Sequence, residues 1–303
     1  MGQLEDLETF VRIVEAGSIS RAAEQLGVVK SAVSRRLTDL ETRLGVQLLA
    51  RTTRSSSLTE AGQKFFDRTR NLLAEMAEIN AEAAQTSSSL TGTIKLSAPF
   101  SFGLSHLSPI ISDFTKAHPE LTIHMDFNDR LVDLVDEGYD LAIRIAHLKD
   151  STLRARKLID ISMVLCASPE YLRTHGTPLT PADLRKHHIL QYANSGVEPW
   201  RFLAPEGGKV SVSLPAKMRS NNGDFLCQAA VNGHGIILSP SFIVWDALRQ
   251  KKLVPLLCAY RPPPISAYAV YPETRHLPAR IRLLVESISA HLKALPNWDA
   301  PAQ

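Results

Sequence analysis

Residues 18–44 read SISRAAEQLGVVKSAVSRRLTDLETRL, and their spacing decides the fold. Ile19, Ala22, Ala23 and Leu26 recur on one face of a helix over 18–26. Ser18 stands where a cap belongs, and Gly27 stops the helix. Val33, Leu37, Leu40 and Leu44 form a second stripe over 30–44, closed by Gly45. Upstream, Leu4, Leu7, Val11 and Val14, widened by Phe10, give a helix over 4–15 that Gly17 ends. Three short helices with a glycine-containing turn between the last two predict a helix-turn-helix. Downstream comes VQLLARTTRSSSLTEAG, residues 46–62. Apolar Val46, Leu48 and Leu49 lead into a polar, basic tip, and the chain returns through Leu58, the pattern of a two-stranded wing.

If the third helix buries its stripe, Ser31, Ser34 and Arg35 face outward near its N-terminus, the end that usually reaches base edges. Arginine can pair bidentately with guanine, and serine can donate or accept. Lys30 and Arg36 are expected at phosphates or bases. Arg51 and Arg54 on the wing are expected at an adjacent groove or the backbone. Total charge does not make this case. Residues 1–60 hold eight Lys or Arg and eight Asp or Glu, yet six of the positives against two negatives fall within 30–54. Placement makes the basic patch. An ordinary solvated helix face is the alternative reading of the same residues.

From Glu60 to about Gln85 there is no proline, and Phe65, Leu72, Met76, Ile79 and Ala83 form a heptad-like seam. A dimer helix is the expectation; packing on the chain's own core is the alternative. The Ser-rich stretch TSSSLTG (86–92) reads as a hinge.

Beyond Thr93 the pattern turns to alternating strands and helices. Strands are expected at TIKLSA, LTIHMDF, YDLAIRIA, ISMVLCA, HHILQYA, KVSVSLPAKMRS, GIILSP, LVPLLCAY and SAYAVYP. Helices are expected at 101–117, 129–137, PEYLRTHG, 224–232, 241–250 and 278–294. Such alternation predicts parallel-rich sheets covered by helices, and about 200 residues suit two lobes better than one sheet. Ligands of open α/β sheets bind beyond the carboxyl ends of strands, where helix starts offer free N–H groups. Three junctions qualify: Ala98–Phe102, Asn128–Arg130 and Ser220–Gly223. They put forward Ser101, Phe102, Asn128 and Asn222 as effector contacts, with Arg144 placed to pair with a carboxylate. Simple helix capping competes for Ser101 and Asn222, and an internal salt bridge competes for Arg144. His147, Thr152, Phe202 and Pro240 are weaker candidates for the same lining.

The three cysteines, Cys166, Cys227 and Cys258, form no CxxC, and neither HExxH nor a Cys/His cluster occurs. The expectation is three reduced, mostly buried thiols, redox sensing by a Cys pair being the alternative, with no metal and no cofactor. GxSxG, GxxxxGK[ST] and a strand-borne GxGxxG are missing too, which argues against an enzyme. The start MGQLEDLETF lacks a signal-like pattern, and no apolar run approaches a membrane span. A cytoplasmic protein with no membrane partner is expected.

The segments FVRIVEAGSISRAAEQL, AVSRRLTDLETRLGVQLL and the wing ARTTRSSSLTEAG resemble the LysR-type helix-turn-helix almost end to end. SAPFSFGLSHLSPIISDF, DLAIRIA and NGHGIILSP resemble the same family's effector domain. The resemblance implies an N-terminal winged helix-turn-helix with a long linker helix. It also implies a C-terminal two-lobed α/β domain like the periplasmic binding proteins. It places the DNA-binding domain at 1–60, the linker helix and hinge at 61–90, lobe I at 91–161 with 268–303, and lobe II at 162–267. The expected function is a transcription regulator, switched by a small molecule held between the lobes, a carboxylate being the class in view. The expected partners are promoter DNA, further copies in a homodimer or homotetramer, and RNA polymerase. By resemblance the base-reading positions fall on Lys30, Ser31, Ser34 and Arg35, and the minor-groove arginine on Arg54. Family members often carry Ser-Gln-Pro where this chain has Val29-Lys30-Ser31, a departure that bears on the bases preferred. The rival from another class is a small-molecule-binding protein or an enzyme built on the C-terminal domain.

Overall fold

A computed structural model describes residues 2–51, 56–83, 90–130, 132–146, 154–195, 199–272 and 277–294. Two compact units emerge, one built on residues 1–93 with 118–122, the other on 94–117 with 123–303.

In the first unit, α1 (Gln3–Ala16), α2 (Ile19–Leu26) and α3 (Lys30–Leu44) precede a wing of β1 (Leu49–Arg51) and β2 (Ser56–Leu58), and α4 (Glu60–Ala83) follows. Ser18 accepts the Arg21 N–H at 3.2 Å and caps α2 as its sequence position requires. Gly17, Gly27 and Gly45 each close a helix with φ near +70°, a conformation that costs glycine little. The three apolar stripes converge on one core. Phe10, Ala22 and Val33 are wholly buried, and Ile13, Leu37, Leu40, Leu48, Leu49 and Phe66 join them. Phe65 and Phe66 of α4 pack on Phe10, with ring centroids 5.4 and 6.3 Å away. At least the start of α4 therefore serves its own chain's core, while Leu72 and Ile79 further along stay exposed.

The second unit carries two five-stranded sheets. The strands are β3 (Gly92–Ala98), β4 (Leu121–Phe127), β5 (Leu141–Ala146), β6 (Arg154–Ile161), β7 (Met163–Ala167), β8 (Ile189–Tyr192), β9 (Trp200–Leu203), β10 (Lys209–Val212), β11 (Ala216–Ser220), β12 (Ile236–Pro240), β13 (Val254–Pro255) and β14 (Ile265–Tyr271). The first sheet runs β4-β3-β5-β14-β6 and the second β11-β8-β12-β7-β13; β9 and β10 form a separate hairpin. The helices are α5 (Phe100–Phe102), α6 (Ser108–Ala117), α7 (Pro169–His175), α8 (Gly223–Val231), α9 (Ser241–Arg249) and α10 (Ala279–Ala294).

The sheets are mixed where parallel-rich ones were expected. β3 with β5, and β8 with β11 and β12, are parallel; β14 runs antiparallel to β5 and β6, and β12 and β13 to β7. The helix expected at 101–117 runs unbroken from Phe100 to Ala117, widened by one π-helical turn at Gly103–Leu107. A Cβ on Gly103 would lie 2.4 Å from the Phe127 ring, so glycine lets that ring close in. At 129–137 turns replace the expected helix. The local polar groups are committed elsewhere. Asp133 accepts from the Val135 and Asp136 N–H groups, Glu137 accepts from the Asp133 N–H, and Arg144 takes the Arg130 and Val132 carbonyls. The strand expected at LVPLLCAY shrinks to Val254–Pro255, and Leu257 turns the chain with φ 48°. KVSVSLPAKMRS divides into β10 and β11, and β9 and the charged edge strand β6 went unforeseen.

Candidate nucleic-acid interface and effector cleft

α3 buries Val33, Leu37 and Leu40. That geometry turns Lys30, Ser31 and Arg35 to solvent and leaves Ser34 half-buried beside them. The N-cap is Val29, which offers no side-chain acceptor, and the first turn holds no acid. The partial positive charge of the helix start therefore adds to that of Lys30.

Arg36 differs from its expected role. Its guanidinium donates to the Thr9 hydroxyl at 3.3 Å and pairs with Glu5 at 3.2 Å. Arg43 pairs with Asp6 at 3.1 Å. Two of the six positives counted in 30–54 thus clasp α3 to α1 and are neutralised there. Arg51 ends β1; its side chain and the whole of Arg54 lie outside the described residues.

The wing is tied to α3 by a residue the sequence reading passed over. Glu41 is buried, and one carboxylate oxygen accepts the Leu48 N–H at 2.8 Å and the Leu49 N–H at 3.1 Å. A carboxylate on the inward stripe of α3, four residues after Leu37, was the available signal. Thr59 ties the other strand of the wing. Its hydroxyl hydrogen bonds to the Gln47 and Leu48 carbonyls and accepts the Gly62 N–H at 2.9 Å. A Cβ on Gly62 would sit 1.9 Å from the Leu48 carbonyl oxygen, which accounts for glycine in LTEAG.

In the second unit the expected junctions do meet. Ser101, beside the first sheet, donates to Asp224 in the first turn of α8 at 2.5 Å. Asn194 donates to the Asp129 carbonyl at 2.7 Å. Asp129 also accepts the Phe100 N–H at 3.3 Å and bonds the Tyr192 hydroxyl. Burial raises the Asp129 pKa, and the nearby Asp224 carboxylate pushes the same way. Burial beside Asp129 carries Tyr192 up to about 12. Asn222 caps α8 by accepting the Phe225 N–H at 2.8 Å, and Asn128 donates to Asp126 at 3.1 Å.

Two candidates sit differently from expectation. Phe102 is fully buried, with Phe242 at 5.4 Å and His106 at 5.2 Å, so it backs the junction instead of lining it. Arg144 donates at 2.6 and 2.9 Å to the Arg130 and Val132 carbonyls, and burial lowers its pKa. It braces the loop before β5 and is engaged before any carboxylate arrives. Phe202 is buried in the core of the second sheet's lobe, and Pro240 ends β12 and precedes α9. His147 and Thr152 lie outside the described residues. The sequence reading placed Asp129 in a junction but gave it no role, and it missed Tyr192 and Asp224; their partners are distant along the chain.

The cysteines are unpaired: Cys166 buried, Cys227 half-buried and Cys258 exposed. Burial raises the Cys166 thiol well above its usual range and Cys227 to about 11, which disfavours the reactive thiolate. Among the described residues no group of three His, Cys, Asp or Glu is placed to hold a metal, and no helix is long and apolar enough to cross a membrane.

Known proteins share this arrangement. Residues 4–63 match the family model of bacterial regulatory helix-turn-helix proteins of the lysR family, and residues 87–293 match the LysR substrate binding domain. An HTH-type transcriptional regulator of Haemophilus influenzae is 35% identical over 93% of this chain and 98% of its own length. The regulator CrgA of Neisseria meningitidis is 34% identical, covering 95% of this chain and 96% of its own. The full-length structure of the Vibrio cholerae virulence activator AphB superposes with a TM-score of 0.58 at 27% identity, over 96% of this chain and all of that one.

Proposed function

The chain belongs to the LysR family of transcription regulators, and on that premise we propose how its own residues divide the work. α3 enters the major groove. Arg35 reaches base edges and Lys30 a guanine or a phosphate, Ser31 and Ser34 hydrogen bond beside them, and Arg51 and Arg54 hold the flanking groove or backbone. Arg36 supports α3 from behind. The domain limits are 1–60 for the DNA-binding domain, 61–90 for the linker and hinge, 91–161 with 268–303 for lobe I and 162–267 for lobe II. α4 pairs two copies, two pairs form a tetramer, and the assembly works in the cytoplasm beside RNA polymerase without catalysing a reaction.

The observation that carries this reading is the exposed Lys30–Arg35 face at an uncapped, acid-free helix start, with the wing bonded to the same helix through Glu41. The effector binds where the lobes meet, at Ser101, Asn128 and Asn222, with Phe102 and Arg144 as support. Its arrival exchanges the Ser101–Asp224 bond for ligand contacts and so changes the relation between the lobes. A carboxylate effector approaches Asp224 against its charge, so its anion is best received on the Asn222 side.

Footprinting of the upstream regions of neighbouring genes over a range of salt tests the DNA reading. Arg35→Ala is expected to cost about 1–3 kcal/mol in specific binding and to relax base preference. Operator affinity unchanged from the parent removes α3 as the reading element.

A further inference from the structure

We propose that Val29 is a specificity-determining residue of the DNA-binding unit, its isopropyl group meeting the C5 methyl of a thymine in the major groove. The inference rests on α3 being the reading helix and adds a residue to it. Val29 is the N-cap of α3, in extended backbone (φ −71°, ψ 145°), with no side-chain bond to the helix. Serine, threonine, aspartate and asparagine are preferred there because their oxygens satisfy the first N–H groups. Valine gives up that cap without gaining burial, since 68% of it is exposed. Val28 beside it is also exposed. Val28 closes α2 through its N–H on the Ala23 carbonyl, whereas Val29, the more exposed of the two, gains little burial at this turn.

Its position gives it another role. Val29 directly precedes Lys30 and Ser31, at the end of the helix that reaches base edges in this docking geometry. Thymine is the base that presents a methyl group in the major groove, next to its O4 acceptor. Val29 offers the apolar contact and Lys30 a donor for O4 or for a neighbouring guanine. The contact is preorganised. The Val29 carbonyl already accepts the Ala32 N–H at 3.0 Å, and a β-branched side chain has little χ1 freedom to lose.

The test uses the full-length protein and the operator that footprinting defines. Each thymine in the α3 footprint is replaced singly by uracil, which removes only the methyl group. For the parent, one such replacement is expected to weaken binding about fourfold. Val29→Ser is expected to bind both forms of that site equally, and Val29→Thr, which keeps one methyl, to retain part of the difference. Serine restores a cap, so Val29→Ser should melt no lower than the parent, and its altered preference cannot be laid to unfolding. The proposal is overturned if Val29→Ser keeps the parent's thymine-over-uracil preference at every position, or if the parent shows none. A chain that finds no operator at all refutes the DNA reading itself, a different result from sharp footprints indifferent to uracil.

Discussion

Replacing Glu41 with alanine removes one carboxylate oxygen that accepts two backbone N–H groups, those of Leu48 and Leu49. Both donors belong to buried residues, so water replaces the lost acceptor poorly. A hydrogen bond to a charged group contributes about 1.5–3 kcal/mol net, and a buried donor left unsatisfied costs about 1–3 kcal/mol. The two bonds together put Glu41→Ala at roughly 3–5 kcal/mol of local stability, a large part of the ~5–15 kcal/mol that holds a typical domain. Glu41→Gln keeps a neutral acceptor. Neutral bonds are about half as strong as charge-assisted ones, so its loss should be about 1–2 kcal/mol. Amide hydrogen exchange across 46–58 measures this directly, since each ~1.4 kcal/mol is a tenfold change in the opening equilibrium. Alanine should speed exchange of the Leu48 and Leu49 amides by at least about a hundredfold, with glutamine between it and the parent. Exchange in Glu41→Ala within threefold of the parent would mean that the carboxylate does not hold the wing.

Three further outcomes are expected. Gly62→Ala forces a Cβ against the Leu48 carbonyl and should cost about 3 kcal/mol or more, because backbone on both sides must move; thermal melting of the full chain reads it. Arg36→Ala removes the Glu5 pair and the Thr9 bond. It should lower stability by about 1 kcal/mol while leaving the salt slope of DNA binding unchanged. A slope reduced by one would return Arg36 to the phosphates. Asp129 has a raised folded-state pKa, so protein with Asp129 protonated is favoured below its unfolded value, and that stability is lost as pH rises through the folded one. Asp129→Asn keeps an acceptor without the charge. It should therefore melt higher than the parent at pH 7, and the gap should close as pH falls toward 4; an equal gap at both pH values contradicts the burial argument.

Helical periodicity made the DNA-binding unit legible because one stripe per helix, Phe10, Ala22 or Val33, had a single core to enter. Glycine stops and the Ser18 cap are chemistry local to a few residues, and they read correctly. The same periodic reasoning failed at 129–137, where Asp133, Glu137 and Arg144 capture the backbone groups a helix needs. Edge strand β6 escaped notice because its exposed charges hide the apolar half of its alternation. At the cleft, the junctions could be placed from strand-to-helix order alone. Their partners could not, since Ser101 and Asp224 are 123 positions apart. Arg36 shows the remaining limit: exposure on α3 was deduced from that helix alone, while Glu5 and Thr9 of α1 decide where its guanidinium goes.

Thr59 closes the wing and opens α4 with one hydroxyl, so there is no slack joint between them. A twist applied along the long helix would reach the wing through that hydroxyl. If two copies pair through that helix as proposed, the same joint helps to set the separation of their reading heads. An extra base pair at the centre of the operator would turn one half-site by about a tenth of a helical turn, and the protein has no hinge at this point with which to follow it.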